Sequence, residues 1–299
     1  MSIKRVLFII LSLFSVGRIS AQDSSLLKSL NDSMDANKNR GYVTGTFKAT
    51  HLINEQTMES PAKNNLNFVI QHRFGQLNSG SYNFFGLDNA TLRLGLEYGI
   101  TDDLEAGIGR SSYLKTFDGF LKYKLLKQGD GGGMPVSVSI LGTVTDYTQD
   151  MSNKPYLNTR YRTAYAGQLL IARKITRNLS LQVTPAFIHY NLVPTVADKN
   201  DLFAIGLGGR YKFTRRMSID AEYNILPSNQ VVSTTVHNSF SLGWDIETGG
   251  HVFQLVFSNS QSMVPTQYLA QTPGTWGKGD IYFGFNISRN FNLNKNRKK

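Results

Sequence analysis

Between Val43 and Phe291 the chain keeps returning to one pattern, a segment of alternating apolar and polar side chains followed by a turn, as in Ala90-Thr-Leu-Arg-Leu-Gly-Leu-Glu-Tyr98. Successive side chains of a strand point to opposite faces, so each segment has one apolar face and one polar face. Segments of about ten residues, repeated roughly a dozen times, are the pattern of a closed transmembrane β-barrel. Its wall pairs every backbone polar group within the sheet.

The apolar parity runs through Leu66, Phe68, Ile70 and Phe74, then Ala90 to Tyr98, and onward to Phe283, Phe285, Ile287 and Phe291; counted from Val43, thirteen candidate strands are visible. The other parity carries Arg73, Arg93, Glu97, Glu105, Asp118, Lys122, Lys124, Arg160, Arg162, Arg210, Lys212, Asp220, Glu222 and Asp245, together with Gln168, Gln182 and Gln254. A soluble β-sandwich also alternates. Charges on a packed face need partners, however, whereas a barrel turns them toward a wet or hydrogen-bonded lumen and leaves its apolar face to lipid.

Turn lengths give this wall an orientation. Short polar turns near Thr101-Asp102-Asp103, Thr176-Arg177-Asn178, Thr214-Arg215-Arg216 and Glu247-Thr248-Gly249-Gly250 alternate with longer loops, 146–158, 192–200, 227–236 and 261–278. In an outer-membrane barrel the former face the periplasm and the latter the exterior. Just before the short turns, the apolar parity carries Tyr98, Tyr123, Tyr211, Phe213 and Trp244, placed for an aromatic girdle at the headgroup level, and Phe291 closes the last strand in the same position. Aromatic residues on one face of that strand are also what the barrel-assembly machinery reads, although here a basic tail follows.

Bacterial single-chain barrels have even strand numbers. With Phe291 and the short turns on one side, a strand from Val43 to Leu52 would start on the wrong side. The expectation is therefore an all-β fold, an antiparallel transmembrane β-barrel of about 12 strands, with 14 if one more strand lies upstream or within 76–89.

Ahead of this region, Lys4 and Arg5, an apolar run from Val6 to Val16 and a small residue at Ala21 read as a signal peptide over residues 1–21. The run is shorter than the roughly 20 residues that span a bilayer. Residues 22–42 form a polar leader in which Leu26, Leu27, Leu30 and Met34 recur at helical intervals after Asp23-Ser24, predicting a short N-terminal helix that either waits in the periplasm or plugs the lumen. The barrel occupies 43–291 and a basic periplasmic tail 292–299. Cleavage after Ala21 removes Lys4, Arg5 and Arg18 and lowers the net charge from +11 to +8. The charges are scattered along strands and turns, which excludes a nucleic-acid face. No cysteine is present, so no disulfide holds the exported chain together.

Several strings carry a resemblance: Phe47-Lys-Ala-Thr-His51-Leu-Ile-Asn54, His72-Arg-Phe-Gly75, Phe85-Gly-Leu-Asp88, Arg93-Leu-Gly-Leu-Glu97-Tyr-Gly-Ile-Thr101-Asp-Asp, Gly107-Ile-Gly-Arg110-Ser-Ser and Asp118-Gly-Phe-Leu-Lys122-Tyr-Lys. The chain resembles a β-barrel family of Bacteroidota-type outer membranes, a domain of unknown function. The resemblance implies the barrel fold and an outer-membrane location, and brings no activity with it.

For chemistry, only His237 shares a strand face with nearby hydroxyls, Ser239 and Ser241, and this is the one candidate for an outer-membrane lipid hydrolase. No Gly-x-Ser-x-Gly elbow, paired-histidine motif or acidic calcium loop is present, so no catalytic, metal or cofactor residue is assigned. The polar parity admits two readings. Its charges either brace the wall as ion pairs, or its eight basic residues form a ladder favouring anions. The expectation is a passive pore for small or anionic solutes in the outer membrane of a Gram-negative bacterium. The alternatives are a filled barrel with a structural or partner-binding role and a transporter of apolar compounds. Beyond lipid and the assembly machinery, solute and oligomeric state are not readable.

Overall fold

The computed structural model describes residues 41–130 and 133–293. The signal peptide, the Leu26–Met34 helix and most of the basic tail lie outside the described residues. Twelve strands form the wall: β1 (Asn65–Gln76), β2 (Ala90–Gly99), β3 (Leu104–Ser111), β4 (Thr116–Leu126), β5 (Ser137–Tyr147), β6 (Thr163–Lys174), β7 (Leu179–Tyr190), β8 (Asp201–Lys212), β9 (Met217–Ile225), β10 (Ser239–Thr248), β11 (His251–Ser258) and β12 (Tyr282–Asn292). Each pairs antiparallel with the next, and β12 returns to β1 to close the barrel.

Closure sets Leu66 opposite Phe291 and Arg73 opposite Gly284. At that last pair only glycine fits, because a Cβ on residue 284 would lie 2.0 Å from the His72 carbonyl oxygen and 3.0 Å from Cδ of Arg73. The stem of Arg73 crosses the seam where a side chain on β12 would otherwise stand.

The alternation read from the sequence appears directly as burial. In β2, Thr91, Arg93, Gly95 and Glu97 are buried while Leu92, Leu94 and Leu96 are exposed; β7 and β8 repeat this over their whole length. Tyr123, Tyr211, Phe213, Trp244 and Phe291 are exposed on the outward face at the short-turn end. Tyr98 beside them donates its hydroxyl to Asn64 Oδ1 at 3.0 Å. At the loop end a second aromatic rim forms from cross-strand pairs, Phe187 with Phe203 at 5.3 Å and Phe257 with Phe283 at 5.3 Å between ring centroids. An outward belt this apolar, bounded by aromatics at both rims, is the surface of a membrane-embedded wall.

Two segments depart from the sequence expectation. Val43 to Leu52 is not a wall strand; residues 43–62 turn into the barrel from the end where β1 begins. Phe47, Leu52 and Ile53 are buried there. This removes the thirteenth strand and restores an even count. Arg160 and Arg162 are also not on the wall, since residues 159–162 form a single helical turn, α1 (Thr159–Arg162), in the loop before β6. The Asn158 side chain caps it by accepting from the Tyr161 N–H, so the apparent alternation there ends in a loop.

The outward face fixes one expectation. Leu94→Arg, in the middle of β2, should cost about 2–4 kcal/mol if it meets the bilayer midplane. Urea-titrated folding into lipid vesicles reads this directly, and an unchanged midpoint would mean that this face does not contact lipid.

Candidate functional site

A closed wall of twelve strands leaves an inner space, and the side chains facing it decide what the barrel can do. In this chain that space is occupied by residues 43–62. The segment enters beside the β4–β5 turn, where the Val43 N–H donates to the Gln128 carbonyl at 2.8 Å, and folds back on itself as a tight hairpin. Thr57 N–H reaches the Thr50 carbonyl at 2.8 Å and Leu52 N–H the Glu55 carbonyl at 2.8 Å, leaving Ile53 and Asn54 at the tip.

A hairpin without neighbouring strands leaves its outer carbonyls and amides unpaired, and a buried backbone group without a partner is costly. The wall supplies those partners from side chains. Gln254 of β11 donates to the Leu52 carbonyl at 2.6 Å, Asn286 of β12 and Gln71 of β1 to the Ile53 carbonyl at 2.9 and 3.2 Å, and Gln182 of β7 to the Gln56 carbonyl at 2.8 Å. Glu222 of β9 accepts the N–H groups of Asn54 and Glu55 at 2.9 and 3.0 Å. Five strands therefore grip one turn. Glycines on the inner face make room for it: a Cβ at Gly206 would stand 2.3 Å from Glu55 Oε1, and one at Gly208 2.7 Å from Leu52 Cδ2.

The charged residues of the polar parity are spent in the same network. Arg73 donates to Asn54 Oδ1 at 2.9 Å and Asn286 Oδ1 at 2.8 Å. Arg93 forks onto Asp118 at 2.9 and 2.5 Å and donates to Gln71 Oε1 at 3.0 Å. Lys122 pairs with Glu105 at 2.9 Å and donates to the Glu59 carbonyl at 2.6 Å. Glu97 accepts from Thr50 at 2.6 Å and Asn67 at 2.7 Å and faces His51 Nδ1 at 3.3 Å. Arg210 contacts Glu247 at 2.8 Å, with Asp220 and Asp245 at 3.7 and 3.8 Å, and Gln254 bridges those two aspartates.

Lys124 and Lys212 sit half-buried at the turn end, Lys124 donating to the Asp102 carbonyl at 3.4 Å. With Arg160 and Arg162 in a loop, the strands retain six of the basic residues read from the sequence, Arg73, Arg93, Lys122, Lys124, Arg210 and Lys212, against six acidic ones, Glu97, Glu105, Asp118, Asp220, Glu222 and Asp245. Equal numbers of basic and acidic residues, several of them paired with one another, fit the bracing reading of the polar parity, and the placement of Arg160 and Arg162 on the wall is corrected. The sequence count included those two arginines because the alternation runs on into the capped turn before β6.

The loop end is closed by a second insertion. Residues 259–275, between β11 and β12, fold inward and contain α2 (Pro265–Tyr268), whose Thr266, Gln267 and Tyr268 are buried. Thr266 faces Thr145 at 3.0 Å, its carbonyl accepts from the Tyr190 hydroxyl, and Gln267 donates to Thr116 Oγ1 at 2.9 Å. Beneath it the inner parity of β6 to β8 turns apolar, with Ala164, Ala166, Ile188, Leu202 and Ala204 packed on Tyr268, Leu269 and Ala270. That switch was visible in the sequence as apolar residues on the polar parity, and it marks where an inserted loop packs.

His237 lines a surface depression of about 540 Å³ with Tyr223, Phe240 and Trp276, while Ser239 and Ser241 are buried on the inward face. Ser241 is engaged with Ser258 at 2.8 Å, and no hydrogen bond joins His237 to either serine among the described residues. Above α2 the loops are cross-braced by Asp198. One of its oxygens accepts the N–H groups of Val232 and Ser233 at 2.8 and 2.9 Å, and the other the N–H and hydroxyl of Thr195 at 3.1 and 2.8 Å. The Ser233 N–H, with these others, holds its carboxyl well below the usual carboxylate range.

Two outcomes follow from this geometry. Arg93→Gln strands a buried Asp118 and should destabilise the barrel by about 3–5 kcal/mol, with part of the loss recovered in the Arg93→Gln, Asp118→Asn double variant; urea unfolding measures both. Because the Asp198 pKa is lowered by folding, its contribution is whole above the ordinary value near 4 and disappears only as the pH falls through the lowered one. The β9–β10 loop should thus resist proteolysis down to pH about 4 in the native chain and be cut at pH 7 in Asp198→Asn.

No curated protein matches the chain. Among solved structures it is similar to the NanC porin, at 8% identity over 76% of this chain and 100% of that one, with a TM-score of 0.46. An outer membrane channel from Pseudomonas putida F1 is similar at 15% identity over 78% and 98%, TM-score 0.44. The outer membrane protein Omp33 of Acinetobacter baumannii is similar at 9% identity over 79% and 100%, TM-score 0.41. The family model described as "Membrane bound beta barrel domain (DUF5777)" matches residues 47–291, a span that takes in both the wall and the hairpin inside it, and the chain belongs to that family.

Proposed function

We propose that this protein is a transport barrel of the Gram-negative outer membrane that is closed at rest by its own residues 43–62. The observation that carries this reading is how the segment is held. Besides the small cluster of Phe47, Leu52 and Met58 on Ala172, the buried Ile53 and an ion pair from Lys48 to Glu247 at 3.0 Å, the segment is held by hydrogen bonds from wall side chains. Each such bond is worth about 0.5–1.5 kcal/mol net, because water replaces it when the partners separate. A polar wall lined with amides and carboxylates stays solvated after the segment leaves, which an apolar core would not.

Export through the N-terminal leader and insertion by the barrel-assembly machinery, which would read the aromatic face of β12, complete this reading. The passage it supports is that of small solutes. With acidic and basic residues in equal number on the strands, an opened lumen discriminates little by charge. The rival reading is a permanently filled barrel with a structural role in the envelope.

Planar-bilayer recording separates the two. The full chain should show rare, brief openings, and a variant lacking residues 43–62 should show steady stepwise current with a reversal potential near zero in a salt gradient at pH 7. Absence of stepwise current from both proteins would overturn the transport reading, and a strongly cation- or anion-selective potential would overturn the charge balance.

A further inference from the structure

At the loop end, outside the filled lumen, the loops before β6, β8 and β10 and the inserted 259–275 loop surround a cavity of about 630 Å³. This volume is within the range of small-molecule sites, roughly 300–1,000 Å³. Its wall is mostly apolar and aromatic, including Tyr147, Met151, Tyr156, Leu192, Val193 and Val231, and its floor is Tyr190 and Leu202 above the apolar inner face of β6 to β8. Three cationic side chains, Lys154, Arg162 and Lys199, complete the lining.

Those cations differ from the ones inside the barrel. Arg162 reaches only the Gln149 carbonyl, at 3.2 Å, and neither the Lys154 nor the Lys199 ammonium has a carboxylate within ion-pair distance among the described residues. The acidic residue in the lining, Asp198, is already committed to two backbone amides on one loop and to Thr195 on the other. Gln230 ties the loop before β10 to the start of β8 by clasping the backbone of Phe203 at 2.7 and 2.8 Å, and its carbonyl accepts the Lys199 N–H of the other loop at 3.1 Å. An apolar chamber with braced walls and unpaired cations is a site rather than a gap between loops. Desolvating an anion there is offset by the cations, while an apolar body fills the aromatic chamber.

We propose that this chamber binds a free anionic amphiphile, a molecule with one carboxylate or sulfonate head and an apolar body, the head on Lys154, Arg162 and Lys199 and the body against Tyr156, Leu192 and Val231. This goes beyond the closed-barrel reading and does not depend on whether the hairpin ever leaves the lumen. It also gives the mixed lining a common purpose: apolar residues alone would admit neutral compounds equally, and cations alone would need no aromatic chamber.

The test uses the full chain in lipid nanodiscs and a diazirine-bearing dodecanoate as photoprobe, with labelled peptides identified by mass spectrometry. Saturable labelling within 147–162 and 190–202 is expected. Competition by unlabelled carboxylates should tighten about fourfold per added methylene until the chamber is full, and dodecanol should compete at least tenfold more weakly than dodecanoate. Lys154→Glu with Lys199→Glu should weaken labelling at least tenfold while the heat-modifiable gel shift remains that of the native barrel. Equal competition by dodecanol, unchanged labelling in the charge-reversed variant, or labelling confined to the outward wall at Phe187 and Phe203 would overturn the proposal. So would labelling of the chamber only by a diazirine phosphatidylglycerol, which would make the occupant membrane lipid. Conductance plays no part in these readouts, so their failure is separate from failure of the transport reading.

Discussion

The antiparallel pairing of β12 with β1 is the contact on which the rest of this structure depends. Hydrocarbon offers no partner for a backbone N–H or C=O, so a membrane-embedded sheet with a free edge would leave a row of unsatisfied groups in lipid. Joining the last strand to the first removes the edge and imposes one parity on all twelve strands: side chains of one register meet lipid and those of the other meet each other. Gly284 shows how tight the join is, since the stem of Arg73 and the His72 carbonyl occupy the space of its absent side chain.

Closure creates a second problem inside. The inner parity is polar so that the outer can be apolar, and buried polar groups require partners. This barrel supplies many of them from both ends. The hairpin of residues 43–62 brings carbonyls and amides to the wall's glutamines, asparagines and Glu222, and the 259–275 loop covers the region where the inner face becomes apolar. The arginines and lysines of the wall are likewise taken up by Asp118, Glu105 and Glu247 and by the hairpin itself. The inner charges are consequently part of how the lumen is filled, and only after the hairpin moves could they act on a solute.

Above this filled section the loops behave differently. Their cations are unpaired, their aromatics line a chamber, and Asp198 and Gln230 lock two of them together. The described residues are thus divided along the barrel axis into a polar, sealed half toward the short turns and an apolar half capped by a charged entrance. A barrel that first holds a ligand at its loops and then exchanges an internal segment for a passage would use both halves.

Much of the wall was legible beforehand, because the two-residue period of a strand writes burial directly into the order of residues. Leu92, Leu94 and Leu96 against Arg93 and Glu97 need no structure to be assigned to opposite faces, and the even strand number already marked Val43 to Leu52 as the segment at odds with a twelve-strand wall. The same local rule failed at Arg160 and Arg162, where a capped turn follows the alternation for a few residues without joining the sheet. It was also silent about partners. What the sequence by itself determined was the closed sheet, its two faces and its two kinds of connection, since each depends on neighbours in the chain. That the lumen is filled, that Arg73 ends on Asn54 and Arg93 on Asp118, and that Lys154, Arg162 and Lys199 converge on one chamber were decided by the tertiary structure. Those contacts join residues far apart in the chain, and no periodicity along the sequence records which strands and loops closure will bring together.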